Sequence, residues 1–229
     1  MTSGDLDQQQ PNGLYVLALF LLASPFYLND FANIYVKDWR WWLCIDYAGV
    51  KLFPFLVVLW LIRGRNIPAS EFGLARQSTP SFLAAFLVLA LVGTLMDQNL
   101  YKLIEKLPGY PALAGMPDIA SPAWNWIDLT LGLAAVGVFE ELVFRGYMHT
   151  FLSRYTRSRT AIVLISSVAF GLIHWSAGLH VVLVASGIGA VLMIAYMATK
   201  SLPAIMLAHF AVNFIDYAGV IPKSWFKFV

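Results

Sequence analysis

The 229-residue chain is 59% hydrophobic and 12% charged, with a mean hydropathy of +0.70 and a formal net charge of +2. Soluble domains average about 45–50% apolar and 25% charged residues, so this composition excludes an ordinary soluble globule, and the small net charge gives no nucleic-acid partner. A single cysteine, Cys44, excludes an intramolecular disulfide and a cysteine-based metal cluster, and reads as a small buried filler.

The first residues, MTSGDLDQQQPNG, are acidic and polar and lack the basic start of a secretory signal, so the first apolar segment is expected to stay as a membrane anchor. A spanning helix needs about 20 mostly apolar residues. Seven segments approach this: Leu14–Leu28, Trp41–Ile62, Pro80–Met96, Ile127–Tyr147, Thr160–His174, His180–Ala198 and Leu202–Val220. The expected fold is all-α, a polytopic membrane bundle of about seven transmembrane helices. No internal repeat divides it, so residues 1–229 read as one membrane domain, with membrane lipid as its surroundings.

Between the spans, residues 63–79 form a basic, turn-rich connector, and DQNLYKLIEKL (97–107) has the spacing of an interfacial amphipathic helix. Arg63, Arg65 and Arg76 share a side with Arg154, Arg157 and Arg159, which assigns that side to the cytoplasm. The tryptophans Trp39, Trp41, Trp42, Trp124, Trp126 and Trp225 sit near span ends and read as headgroup anchors.

The fourth span runs into FEELVFRGYMH (139–149), where Glu140, Glu141 and Arg145 interrupt an apolar helix. Ionised groups at membrane depth cost about 2.5–3.5 kcal/mol each even on the lenient insertion scale, and so face protein and find partners. Glu141 and Arg145 stand at i,i+4 and can pair. Glu140 points about 100° away and must find its partner on another helix.

Three later residues answer that need. His174 lies in FGLIH, near the end of the fifth span, and His209 and Asn213 share a face of the seventh in HFAVN. At about 1.5 Å per residue, Glu140, His174 and Asn213 lie roughly 20 Å from the loop cations, and His209 about 14 Å. The polar residues of three helices thus fall in one depth band, whereas His149 and His180 have no such partners and read as structural. Asp46, Lys51, Asp128 and Asp216 read as structural too, with Asp216 on the His209 face as a supporting group.

A carboxylate and an imidazole converging on one water make a general-base system, and His209 with Asn213 offers donors to a developing oxyanion. Those are the parts needed to hydrolyse an amide within the membrane. The same Glu140, His174 and His209 could instead bind zinc through three N/O ligands, with an open position for water. No HExxH helix is present to single out zinc, and both readings stand. A proton-coupled transporter or a non-catalytic scaffold would use the same polar cluster differently.

EELVFR (Glu140, Glu141, Arg145), FGLIH (Phe170, His174) and HFAVN (His209, Asn213) together resemble the EExxxR, FxxxH and HxxxN/D motifs of the CPBP family. This is the family of CAAX prenyl endopeptidases and bacteriocin-processing or self-immunity proteins, also called Abi. The resemblance makes residues 127–215 the motif-bearing catalytic core and implies an intramembrane protease acting on a membrane-anchored protein or peptide. By motif position, Glu140 and His174 would activate water, His209 and Asn213 would form the oxyanion site, and Glu141 and Arg145 would support them. It leaves the glutamate-type and metal-dependent mechanisms both open. The compact chain is similar in size to bacterial members, which implies a bacterial plasma (inner) membrane.

Overall fold

The computed structural model describes residues 13–74, 78–200 and 202–228. Arg76 and residues 1–12, used above for orientation and for the N-terminal anchor, lie outside them. The long helices are α1 (Gly13–Tyr35), α2 (Trp39–Gly64), α3 (Thr79–Ile104), α4 (residues 122–153), α5 (Arg159–Ala177), α6 (Leu179–Thr199) and α7 (Leu202–Ala218). Among the described residues there is no strand. Five helices (α1, α2, α3, α5 and α6) are long and apolar enough to cross a membrane on length and composition alone. The other two are the helices that carry most of the polar motif residues. Asp128, Glu140, Glu141 and Arg145 dilute α4, and α7 is only 17 residues long.

Local chemistry sets several helix ends. Asp38 caps α2 by accepting from Arg40 N at 2.8 Å, and Ser158 caps α5 by accepting from Ala161 N at 3.2 Å. Pro80 and Pro122 stand in the first turns of α3 and α4, where a missing N–H costs nothing. Wide π-type turns interrupt α2 at Tyr47–Leu52 and α4 at Leu142–Tyr147. Such bulges often mark functional positions, and here the second follows the acidic pair.

The chain ascends and descends through the bundle, so the connectors gather at two ends. At one end the 65–78 and 154–158 connectors meet through Arg154 and Glu71, 3.3 Å apart. At the other end residues 105–121 lie over the α5–α6 turn: Leu179 N donates to Tyr110 O at 3.1 Å, and Leu113 N to Ser176 O at 2.7 Å. α5 and α6 form a hairpin, while α7 packs against both α3 and α4. One apolar core draws on all seven helices, with Phe144 edge-on to Phe26, Tyr27 and Phe170 at its centre. Outward faces carry exposed Phe20, Leu87, Leu131, Leu164 and Ile194, the apolar girdle expected of a lipid-facing surface.

Three expectations are corrected. The 97–107 stretch does not form a separate interfacial helix, because no Pro or Gly breaks α3 before Ile104. Its polar face is satisfied internally: buried Asn99 donates to Phe226 O at 2.8 Å and accepts from Phe228 N at 2.9 Å. Trp42 is buried rather than interfacial, with its indole N–H on Asn33 Oδ1 at 2.8 Å. Cys44 is exposed on the outer face of α2, not a core filler.

Candidate active site

The site begins with a close approach of two helices. A Cβ on Gly137 would stand 2.9 Å from Met206 O and 3.2 Å from Phe210 N, so only glycine lets α4 and α7 touch backbone to backbone here. One turn further along each helix, this contact sets Glu140 and Glu141 beside His209.

His209 sits between the two carboxylates. Its Nδ1 is 2.7 Å from Glu141 Oε1, and its Nε2 is 3.7 Å from Glu140 Oε2. Arg145 Nη1 lies 3.0 Å from the same Glu141 oxygen, and both residues are essentially inaccessible at 1% and 0% exposure. That pair is held by charge and packing more than by alignment, since neither terminal guanidinium nitrogen makes a well-angled hydrogen bond. The guanidinium instead lies 3.9 Å over the Phe170 ring, a favourable cation–π geometry.

Phe170 explains the spacing of the FGLIH motif. One turn along α5 from His174, its ring meets His174 edge-on at 5.6 Å, His209 edge-on at 5.9 Å and Arg145 face-on. It is the shared floor beneath both imidazoles.

His174 occupies a break in regular helix, with φ −102° and ψ 27°, inside the tight turn Leu172–Ala177 that ends α5. Exposed backbone polar groups are not tolerated in lipid, and here α1 satisfies them. Asp30 Oδ2 accepts from Ser176 N at 2.6 Å, Trp175 Nε1 donates to Tyr27 O at 3.0 Å, and Tyr27 Oη donates to Ala169 O at 2.8 Å.

Glu140, His174, His209 and Asn213 line one cavity of about 370 Å³, bounded also by apolar residues such as Leu89, Val184 and Ile188. Glu140 is 6% exposed, and its Oε2 makes no hydrogen bond and stands 3.7 Å from His209 Nε2. Glu141 and Arg145 are not on the wall and stand behind it. Among the described residues no three His, Cys, Asp or Glu side chains are placed to hold a metal ion. His209 places its Nδ1 on Glu141 and its Nε2 toward Glu140.

The remaining candidates fall outside the cavity or take other parts. His149 contacts Lys200 Nζ at 3.4 Å, and His180 Nε2 lies 2.9 Å from Leu107 O. Asp216 does not support His209 as its place on that face suggested; it binds Lys223 Nζ at 2.6 Å and Gln98 Nε2 at 3.0 Å, tying α7 to α3 and the C-terminal tail. Asp46 lines the cavity and is ion-paired with buried Lys51. Lys51 in turn lies over the Tyr47 ring at 4.4 Å. Sequence reasoning missed Asn29, Asp30, Asn33 and Asp97 on the cavity wall. The first three follow Leu28, where the first span was ended, although their i, i+1, i+4 pattern already described a polar helical face.

Residues 122–215, about two fifths of the chain, match the family model described as Rce1-like, type II CAAX prenyl endopeptidase Rce1-like. All three motifs fall inside the match. No curated protein and no solved structure matches the chain.

Proposed function

From the premise that residues 122–215 belong to the Rce1-like family of type II CAAX prenyl endopeptidases, we propose that this integral membrane protein is an endopeptidase of the glutamate type. It hydrolyses a peptide bond of a membrane-associated protein or peptide, in a bacterial plasma membrane. The observation that carries the reading is the cavity: Glu140, His174, His209 and Asn213, from three helices, line one space. Glu140 is buried on that wall, with its Oε2 3.7 Å from His209 Nε2.

In this mechanism a water bound between Glu140 and His174 gives its proton to Glu140 as it attacks the scissile carbonyl. A positioned general base of this kind contributes about 10²–10⁴-fold. The oxyanion forms against Asn213 Nδ2 and His209 Nε2, and as an imidazolium His209 donates from both nitrogens, one to the oxyanion and one to Glu141. Oriented donors in a dry site stabilise such charge without reorganising. Glu140 then returns the proton to the departing amine. Glu141 and Arg145 touch no substrate; they hold the His209 ring. The apolar walls accept the side chains flanking the bond.

The test is cleavage of membrane-proximal peptides by the purified protein in detergent, with Glu140→Gln and His174→Ala as controls. Cleavage by wild type that disappears in both variants, with folding preserved, supports the reading. Retained cleavage in Glu140→Gln overturns it.

A further inference from the structure

Residues 105–121 supply no group to the chemistry above, yet they cross the mouth of the cavity. Their first half is seated on the α5–α6 turn. His180 Nε2 lies 2.9 Å from Leu107 O, and Leu179 N donates to Tyr110 O at 3.1 Å. Their far end is seated across the bundle, where Ile119 packs against a small apolar cluster of Ala32, Trp42 and Leu43 on α1 and α2. Between these two feet, Ala114, Gly115 and Met116 line the cavity. The segment is a strap drawn over the space that Glu140, His174 and His209 share.

The middle of the strap is lightly held. The backbone N–H groups of Leu113 and Ala114 share one acceptor, Ser176 O, at 2.7 and 3.4 Å. Leu113 and Met116 are half-exposed, and a Cβ on Gly115 would meet nothing within 4 Å. A hydrogen bond exchanged for one with water has a small net worth, so lifting residues 113–116 gives up little. Segments that open over a site are drawn from weakly held stretches of this kind.

The bond that is made falls at a telling place. Ser176 lies two residues after His174, in the same tight turn. Its N–H is held from α1 by Asp30 Oδ2 at 2.6 Å, and its C=O is held from the strap. The turn that presents His174 is thus clamped from two sides, and the strap is half of the clamp.

We propose that residues 113–116 are a movable cover that couples access to catalysis. Substrate reaches Glu140 at this end when the strap lifts, and the return of the strap to Ser176 O sets the turn that presents His174. The inference rests on the endopeptidase reading for its effect on turnover and names the regulation of that site; the cover itself is tested without cleavage.

The experiment times access to the cavity. Ala185, on the cavity wall, is changed by Ala185→Cys in full-length Cys44→Ser protein in detergent, and labelling of the introduced thiol by a cationic methanethiosulfonate is followed by mass spectrometry. This parent should label at least about tenfold more slowly than exposed Cys44 does in wild type. Leu113→Pro removes the strap's closer N–H donor, and Ile119→Asp frees the opposite foot. Each should speed labelling about tenfold in a protein that still melts cooperatively. For turnover, Leu113→Pro should lower kcat more than about tenfold, and Leu113→Ala, which keeps the N–H, should recover most of that loss. Parent labelling as fast as that of Cys44, or labelling that neither release variant changes, overturns the proposal; the parent's rate alone tests the cover if a release variant unfolds. Labelling sped by release in a protein whose wild type cleaves nothing supports the cover and counts against the protease reading. Cleavage with labelling unchanged by release does the reverse.

Discussion

His209 Nδ1 lies 2.7 Å from Glu141 Oε1, the same oxygen that lies 3.0 Å from Arg145 Nη1. One atom of the second glutamate therefore organises a histidine on α7 and an arginine on its own helix. Glu141→Gln weakens both contacts and leaves Arg145 as a buried charge without its counter-ion. Breaking a buried pair in this way costs about 3–5 kcal/mol, so the variant should show a large drop in thermal midpoint in detergent. Its remaining folded fraction should also cleave more slowly at unchanged KM, since the imidazole loses its orientation.

Glu140→Gln should behave in the opposite way. It removes a buried carboxylate whose Oε2 makes no hydrogen bond and stands 3.7 Å from His209 Nε2, while His209 keeps its closer contact to Glu141, so the thermal midpoint should hold while turnover falls by about 10²–10⁴-fold. Phenanthroline should leave wild-type cleavage intact under the glutamate mechanism. Loss on chelation with recovery on adding zinc would replace it with a metal-dependent one.

Asp30 is a positioning residue, acting on His174 through Ser176 N. Asp30→Ala frees that N–H and loosens the turn that presents His174, so kcat should fall more than tenfold with little change in KM. Asp30→Asn keeps an acceptor and should recover most of the loss. Equal losses in both variants would mean that charge, not placement, is what Asp30 supplies.

Gly137→Ala sets a methyl group against Met206 O and Phe210 N. Forcing atoms into a filled contact typically costs about 1–3 kcal/mol. Here the strain is relieved by parting α4 from α7, which lengthens the His209 contacts to both glutamates. The variant should lose activity out of proportion to its loss of stability, read by comparing turnover with thermal midpoint.

Lys51→Met leaves buried Asp46 unpaired and should destabilise by about 3–5 kcal/mol. The double variant Asp46→Asn, Lys51→Met should regain most of that. A double-mutant cycle read by thermal unfolding gives the coupling directly.

Much of this site is legible in sequence because lipid makes polar residues conspicuous. Glu140, His174, His209 and Asn213 are each unusual within an apolar run, and their distances in sequence from the loop cations group them at one depth. What could not be read was the division of labour between the glutamates. Helical spacing pairs Glu141 with Arg145, but which carboxylate meets His209 depends on how closely α4 and α7 approach, and that is fixed by Gly137, a residue with no chemistry to notice. Asp30 escaped for another reason. It lies just past the apolar run of α1, where a hydropathy window ends before the helix does. The length of α3 is hidden likewise, because polar Asn99 in its last turns is buried under the C-terminal tail while most of the residues after it are exposed.

Between α5 and α6 there is a single residue, Gly178, at φ +99°, where a Cβ would press on Ala112 N at 2.9 Å. α5 and α6 therefore form one tightly turned antiparallel hairpin. His174 stands four residues before Gly178, so any change in where the chain turns carries the imidazole along the cavity wall.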